Sequence, residues 1–202
     1  MAAPTPSGPE TYTLAPTPHV PNSPYPVLVY RAAIPAAARS VAAVKALIEP
    51  HAWLHGGTWK AIRTIHFHSV THECYAVLRG ASVLLLGRGP LDPERSGGSG
   101  DEDTPFGVEV EVRAGDVVVV PAGVSHASLS DDGAYEYAGL YPKGSPRWDN
   151  NWCKAGPEET AEKAKTARAV PVPECDPVFG EGGPLVKIWR EAVAACRELQ
   201  TQ

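Results

Sequence analysis

The 202-residue sequence has no run of lysine or arginine, no apolar stretch of membrane-spanning length and no C-x-x-C pair. Without a basic stripe nothing tracks a phosphate backbone, and a formal net charge of -5 opposes one, so nucleic acid is excluded as a partner. A helical bilayer span takes about 20 apolar residues, so no membrane association is expected. The segment MAAPTPSGPETYTL lacks the basic and apolar regions of a secretory signal, and a cytoplasmic protein is expected. Cys74, Cys153, Cys175 and Cys196 lie far apart, which argues against a zinc ribbon or a disulfide framework and for reduced thiols. Helix-friendly sequence is scarce as well. Pro 21 and Gly 19 interrupt the chain too often for a helical bundle, because each proline removes a backbone donor and each glycine costs helix propensity.

What remains suits short strands and turns in one soluble globular domain, with 43% apolar and 20% charged residues. Residues 1–24 read as an extended proline-rich arm lying along the body or a partner subunit. In 25–59, a strand over 26–31 is followed by a helix over 35–49, with Pro35 in its first turn, Val41, Val44, Leu47 and Ile48 on one face, and Pro50 as its stop. Gly56 and Gly57 read as a bend. Strands are expected at 60–68, 72–79, 81–86, 108–112, 116–120, 125–130 and 134–141, the pattern of a sandwich or barrel. The core is thus 60–142, and its polar, aperiodic stretch 87–107 reads as a surface insertion. Residues 143–202 form a C-terminal extension: a polar helix over 158–168, a proline-rich run, and an amphipathic helix with Leu185, Ile188, Trp189, Ala192, Val193, Cys196 and Leu199 on one stripe. That stripe is expected to pack on the outside of the sheet.

The chemistry concentrates in IHFHSVTHECYAVLRG (65–80) and GDVVVVPAGVSH (115–126). His66 and His68, two apart, share a face of a strand, and Glu73 opens the next one. His126, after a Pro-Ala-Gly turn, is the fourth ligand-type side chain. Imidazoles with one carboxylate suit a first-row divalent transition metal better than calcium or magnesium, which want mostly oxygens. Iron or manganese is favoured, with zinc, nickel or copper also admissible. Alternation places Ile62 and Thr64 with the histidines, Tyr75, Val77 and Arg79 with Glu73, and Ser128 and Ser130 with His126, so these residues are expected to line a pocket. Glu73 and Tyr75 are the candidate catalytic groups, Tyr75 orienting a substrate or donating a proton, or else simply filling the core with a satisfied hydroxyl. Tyr135, Tyr137 and Tyr141 share a face of their strand, where core packing is the plainer reading. His72 falls on the opposite face from Glu73 and is assigned a supporting role behind the ligands. His51, Trp53, His55 and Trp59 are candidates for the barrel mouth, and Asp176 for a turn residue.

The spacing H-x-H-x4-E-x6-G (His66, His68, Glu73, Gly80) followed by G-x5-P-x-G-x2-H (Gly115, Pro121, Gly123, His126) resembles the two motifs of the cupin superfamily, RmlC-like proteins that bind one metal ion in a small β-barrel. Two positions depart from that pattern: Lys60 stands where the first motif usually has glycine, and Ser130 where asparagine often follows the last histidine. The H-x-H-x3-H-E run and the tail V-P-x-P-x-x-D-P-V-F-G-x-x-G-P-L are similar to the YjlB-like single-domain cupins. The resemblance implies a mostly β fold, a single small β-barrel (double-stranded β-helix or jelly roll) with a few flanking α-helices, and a metal held by His66, His68, Glu73 and His126.

The function expected first is a metal-dependent enzyme acting on a small-molecule substrate, by an O2-dependent oxygenase-type reaction. The alternatives are a non-redox isomerase, decarboxylase or lyase, or a small-ligand-binding protein without turnover. No helix-turn-helix appendage supports a regulator. A homodimer through outer strands and the arm is compatible with the sequence.

Overall fold

The computed structural model describes residues 8–93 and 107–200, with side chains to residue 195. Most of the 87–107 insertion lies outside the described residues, as do the start of the arm and the side chains of Cys196 and Leu199. Among the described residues the protein is mostly β.

Among the described residues nine strands build two antiparallel sheets. β1 (Glu10–Tyr12), β2 (Val27–Tyr30), β3 (Trp53–Trp59), β4 (Glu73–Arg79), β7 (Val117–Val120) and β9 (Glu136–Pro142) form a six-stranded sheet in the order β1-β2-β7-β4-β9-β3. β5 (Ala81–Leu86), β6 (Val108–Arg113) and β8 (His126–Asp131) form a three-stranded sheet in the order β6-β5-β8. The two sheets are not closed into one hydrogen-bonded barrel; the fold is a jelly roll whose inner faces share a core. Val27, Val29, Tyr75, Val77, Val118, Val120 and Tyr137 from the large sheet meet Leu84, Leu86, Val110 and Val112 from the small one.

The outer face of the large sheet is also buried, which is why β2 (VLVY) and β7 (VVVV) are apolar at every position rather than alternating. α1 (Val41–Ile48) and α3 (Pro184–Gln200) cover it, with Val44, Ile48, Leu185 and Trp189 against Leu28, Cys74, Ala76, Val119 and Leu140. Trp189 is fully buried, donates to the Pro26 carbonyl at 3.0 Å and stacks on Tyr25. Burying one such side chain contributes about 3 kcal/mol. α2 (Pro157–Arg168) is polar and mostly exposed, with Pro157 in its first turn. A short ladder, β10 (Cys175–Asp176) with β11 (Gly180–Glu181), closes around Asp176, whose carboxylate accepts from Tyr30, Val178, Phe179 and Leu185.

Three local expectations are corrected. No strand forms over 60–68; β3 ends at Trp59, residues 60–65 cross irregularly, and only His66 and Phe67 make isolated bridges, to His126 and Asn151. Gly56 and Gly57 are strand residues rather than a bend. A Cβ at Gly56 would stand 2.5 Å from the Tyr141 ring, and one at Gly57 2.6 Å from Trp59, so these glycines make room for aromatic rings. The helix expected over 35–49 is split: a 3-10 turn over Ala36–Ala38, then α1 capped by Ser40, whose hydroxyl accepts from the Ala43 N–H. The arm from residue 10 lies on its own body, with β1 paired to β2 and Leu14 and Val20 buried.

Candidate metal centre

The site is assembled by backbone register. His66 pairs with His126 through reciprocal N–H···O bonds of 2.8 and 3.3 Å, which brings the two sequence motifs side by side. The Gly123 N–H donates to the His68 carbonyl at 2.8 Å, tying the Pro-Ala-Gly turn to the first motif. Gly123 has a φ of +89°, a left-handed conformation that a side chain would strain, and a Cβ there would meet the Asn22 carbonyl at 2.8 Å. Glu73, the first residue of β4, faces the same point. All four side chains are buried.

The inward-facing atoms follow from the hydrogen bonds of the rings. Nδ1 of His66 lies 2.9 Å from the Thr64 carbonyl, Nδ1 of His126 3.1 Å from the Val124 carbonyl, and Nδ1 of His68 bonds the Asp149 carbonyl. A carbonyl only accepts, so each Nδ1 carries the proton, and each neutral ring turns an Nε2 lone pair inward. One ligand atom from each of the three rings lies within 4.8 Å of the others, a spacing that can hold a metal ion. Glu73 Oε2 stands 2.9 Å from His68 Nε2 and 3.3 Å from His126 Nε2.

This donor set asks for a cation. A carboxylate oxygen facing imidazole lone pairs is a cluster of acceptors, which is stable only with positive charge between them. Among the described residues His126 Nε2 has no hydrogen-bond partner although it is buried. Burial disfavours a charged His68, but the hydrogen bond and charge of Glu73 outweigh it and raise the His68 pKa. Glu73 is subject to the same opposition: burial favours its neutral form, yet the His126 and His68 imidazoles that face it hold it well below the usual carboxylate range. His66 is pushed down to about 3 by burial and by its neighbours His126 and His68, so it stays neutral. The three histidines can therefore hold one metal ion, with Glu73 Oε2 beside two of them.

Several residues that complete this arrangement carry no motif. Tyr141 donates to Glu73 Oε1 at 2.6 Å, and its ring stacks on Trp148 with centroids 4.6 Å apart. Asp149, whose carbonyl fixes His68, is itself held: its carboxylate accepts from the Ser69 N–H at 2.7 Å, the Ser69 hydroxyl at 2.6 Å and Asn151 at 2.6 Å. Trp152 is half exposed, with its ring centroid 6.0 Å from that of His66. Trp59, on β3, packs edge-on against Trp148 and beside Tyr137. The one signal in the sequence was the aromatic-polar cluster WDNNW at 148–152.

The other expected site residues separate. Val77 and Tyr75 lie in the inter-sheet core; Tyr75 stacks on Tyr137 at 3.9 Å, 5.8 Å from the His126 ring. Ser128 is buried, with its N–H on the Ile62 carbonyl. Because 60–65 is not a strand, alternation does not carry Ile62 and Thr64 inward; Ile62 is half-buried and Thr64 exposed. Arg79 is exposed beyond an irregularity in the β4–β9 pairing and pairs with Glu136 at 2.6 Å, so it does not line the site. A register shift in the β5–β8 pairing, at Val83/Leu84, likewise leaves Ser130 exposed. His72 lies behind the site: the Ala122 N–H donates to its Nδ1 at 2.9 Å, its Nε2 bonds the Pro171 carbonyl, and its ring packs on Trp189. Burial pushes its pKa down to about 4, so it is neutral. His51 bonds the Pro177 carbonyl and Trp53 the Cys175 carbonyl, which places both on the C-terminal extension rather than at a mouth.

No family model matches the chain. It is 29% identical over 181 residues to "Uncharacterized protein YjlB" of Bacillus subtilis, covering 89% of this chain and 96% of that one. Solved structures are similar at lower levels. RmlC from Streptococcus suis in complex with dTDP-D-xylose shares 12% identity over 69% of this chain and 73% of its own, with a TM-score of 0.32. An 11S globulin from Wrightia tinctoria (15% identity, TM-score 0.33) and the vicilin of Corylus avellana (16%, 0.31) each align with 45% of this chain, which spans 19% and 22% of theirs. Among the described residues no helix is long and apolar enough to cross a membrane. Both motifs converge on one buried point of an antiparallel jelly roll, as their resemblance to the cupin motifs implies, and the chain is similar to YjlB along nearly the whole of both chains.

Proposed function

We propose that this protein is a mononuclear metal-dependent enzyme that converts a small organic substrate by an O2-dependent oxidation. The reading rests on one arrangement: three imidazoles, each with Nδ1 committed to a backbone carbonyl, turned with Glu73 toward a common buried point. His66, His68, Glu73 and His126 would hold the ion, with iron or manganese favoured over zinc, nickel or copper. A bound ion would supply Lewis acidity and one-electron chemistry to a substrate beside it.

The chain's own contribution is positioning and exclusion of water. The carbonyls of Thr64, Val124 and Asp149 fix the ring tautomers, so no reorganisation is needed when a ligand arrives. Tyr141 engages Glu73 Oε1 and leaves Oε2 facing the histidines. Burial and the nearby Glu73 charge raise the Tyr75 phenol well above its ordinary range, so Tyr75 shapes the site and keeps its proton at neutral pH.

A second reading, non-redox isomerase, decarboxylase or lyase chemistry, is favoured by the Tyr141–Glu73 hydrogen bond, which keeps a proton beside the histidines. Oxygen uptake by iron-loaded protein with a panel of small organic acids, absent when zinc replaces iron, supports the oxidation. Equal turnover with zinc supports the second reading, and ligand retention without product over hours supports a binding protein. We place the activity in the cytoplasm, where the free thiols of Cys74, Cys153 and Cys175 persist, and take a homodimer as the assembly to test by light scattering.

A further inference from the structure

Beside the histidines lies a surface cavity of about 420 Å3, lined by Arg63, Thr64, Ile65, Pro90, Trp152 and Lys154. That volume is in the range that accepts a small organic ligand. Its walls are the two segments that flank the site. The Thr64 carbonyl accepts from His66, and Trp152 stands 6.0 Å from the His66 ring. Both walls are preformed: Phe67 and Asn151 exchange backbone hydrogen bonds of 2.9 and 3.0 Å, which holds the chain at Trp152 against the chain at His66. Ile65 packs on the buried cluster of Val20, Phe67 and Cys153.

The lining has a definite chemistry. It combines an indole face with Ile65 and Pro90, and it contains two cations and no carboxylate in a protein whose net charge is -5. The two cations are not equivalent. Arg63 is committed to Asp131 at 2.5 Å and to the Leu129 carbonyl. Lys154 is exposed, and among the described residues no ion pair engages it. A half-exposed tryptophan beside an uncommitted ammonium recognises a flat apolar body that carries one negative charge.

The geometry points to this cavity as the binding site for a small monocarboxylate with a flat, unsaturated or aromatic body, which lies on Trp152 and pairs its carboxylate with Lys154. This deepens the enzymatic reading by naming its substrate class, and it rests on that reading only for turnover, not for binding.

The test is ligand-observed NMR titration of the full chain, before and after chelation, with benzoate and cinnamate against benzamide and cinnamamide. Chelated protein is expected to prefer each acid over its amide by about threefold or more, the size of one partly exposed charge pair. Lys154→Met removes the preference and Lys154→Arg restores it. Trp152→Ala weakens acid and amide alike by about tenfold, the scale of one aromatic contact. No binding of either class, equal binding of both, or a preference that survives Lys154→Met overturns the assignment. If the chelated protein keeps the preference while the purified protein takes up no metal, the metal-enzyme reading fails and this site stands. Stoichiometric metal with no acid preference does the reverse: the metal centre stands and this site fails.

Discussion

Tyr141 donates its phenolic proton to Glu73 Oε1 at 2.6 Å, while Oε2 of the same carboxylate stands 2.9 Å from His68 Nε2. The two oxygens thus have different partners, and the phenol decides which one faces the histidines. Tyr141→Phe keeps the stacking on Trp148 and removes only this bond. Affinity for Mn(II) or Zn(II), measured by competition with a chelator, is expected to fall about tenfold or more, as for other groups that orient a ligand. Unchanged affinity would mean that the phenol does not position the carboxylate.

Gly139 on β9 lies under the same carboxylate. A Cβ there would sit 2.4 Å from Trp59 Cζ3 and 3.1 Å from Glu73 Oε1. Trp59 is hemmed in by Tyr137 and Trp148, so it cannot step aside freely. Gly139→Ala is expected to cost about 1–3 kcal/mol of stability in urea unfolding, the usual cost of overpacking. Gly133→Ala is avoided because of its positive φ, and Gly156→Ala, with no described atom within 4 Å of the added Cβ, serves as the neutral control.

His72 titrates from about 4 in the folded protein, below the ordinary value of 6.5, because burial disfavours its charge. The unfolded chain therefore binds the proton first. His72 imposes no cost above pH about 6.5, and stability is lost as pH falls from there toward 4, by about 3 kcal/mol in all. His72→Gln can keep the bonds to the Ala122 N–H and the Pro171 carbonyl without titrating. In urea unfolding with EDTA present, its stability should fall less steeply than wild type between pH 6.5 and 4.5; parallel curves would contradict the assignment.

Cys74 and Cys153 are buried thiols, whereas Cys175 is half-buried. Burial and then the charge of Asp92 push Cys153 up to about 12, and burial raises Cys74 well above its ordinary value. In a Cys196→Ser variant at pH 8, one thiol is expected to react readily with a disulfide reagent and two only after unfolding. Three fast thiols would show that the interior is open.

The metal-type quartet was legible because its members are few, spaced by strand period and set beside turn glycines. His66, His68, Glu73 and His126 need only short-range pattern to be noticed. Their surroundings were not legible for the opposite reason. Tyr141 meets Glu73 across 68 residues, and the Asp149 carbonyl meets His68 across 81, so neither contact leaves a local trace. The misplaced strand before His66 has a similar origin. Gly56 and Gly57 read locally as a bend, yet the rings of Tyr141, Trp148 and Trp59 fill the space their missing side chains leave. Strand identity there is decided by tertiary packing. The outer helices were visible as amphipathic stripes, whereas the split in the first depended on a single cap at Ser40.

The central claim is that His66, His68, Glu73 and His126 hold one transition-metal ion. Its most direct test is elemental analysis of the full chain purified without chelator, beside His68→Ala and His126→Ala, with circular dichroism to confirm folding. Close to one equivalent of a first-row metal in the wild type, lost in both folded variants, is the predicted result. Metal-free wild type that also takes up none on reconstitution, or variants that retain it, would contradict the account.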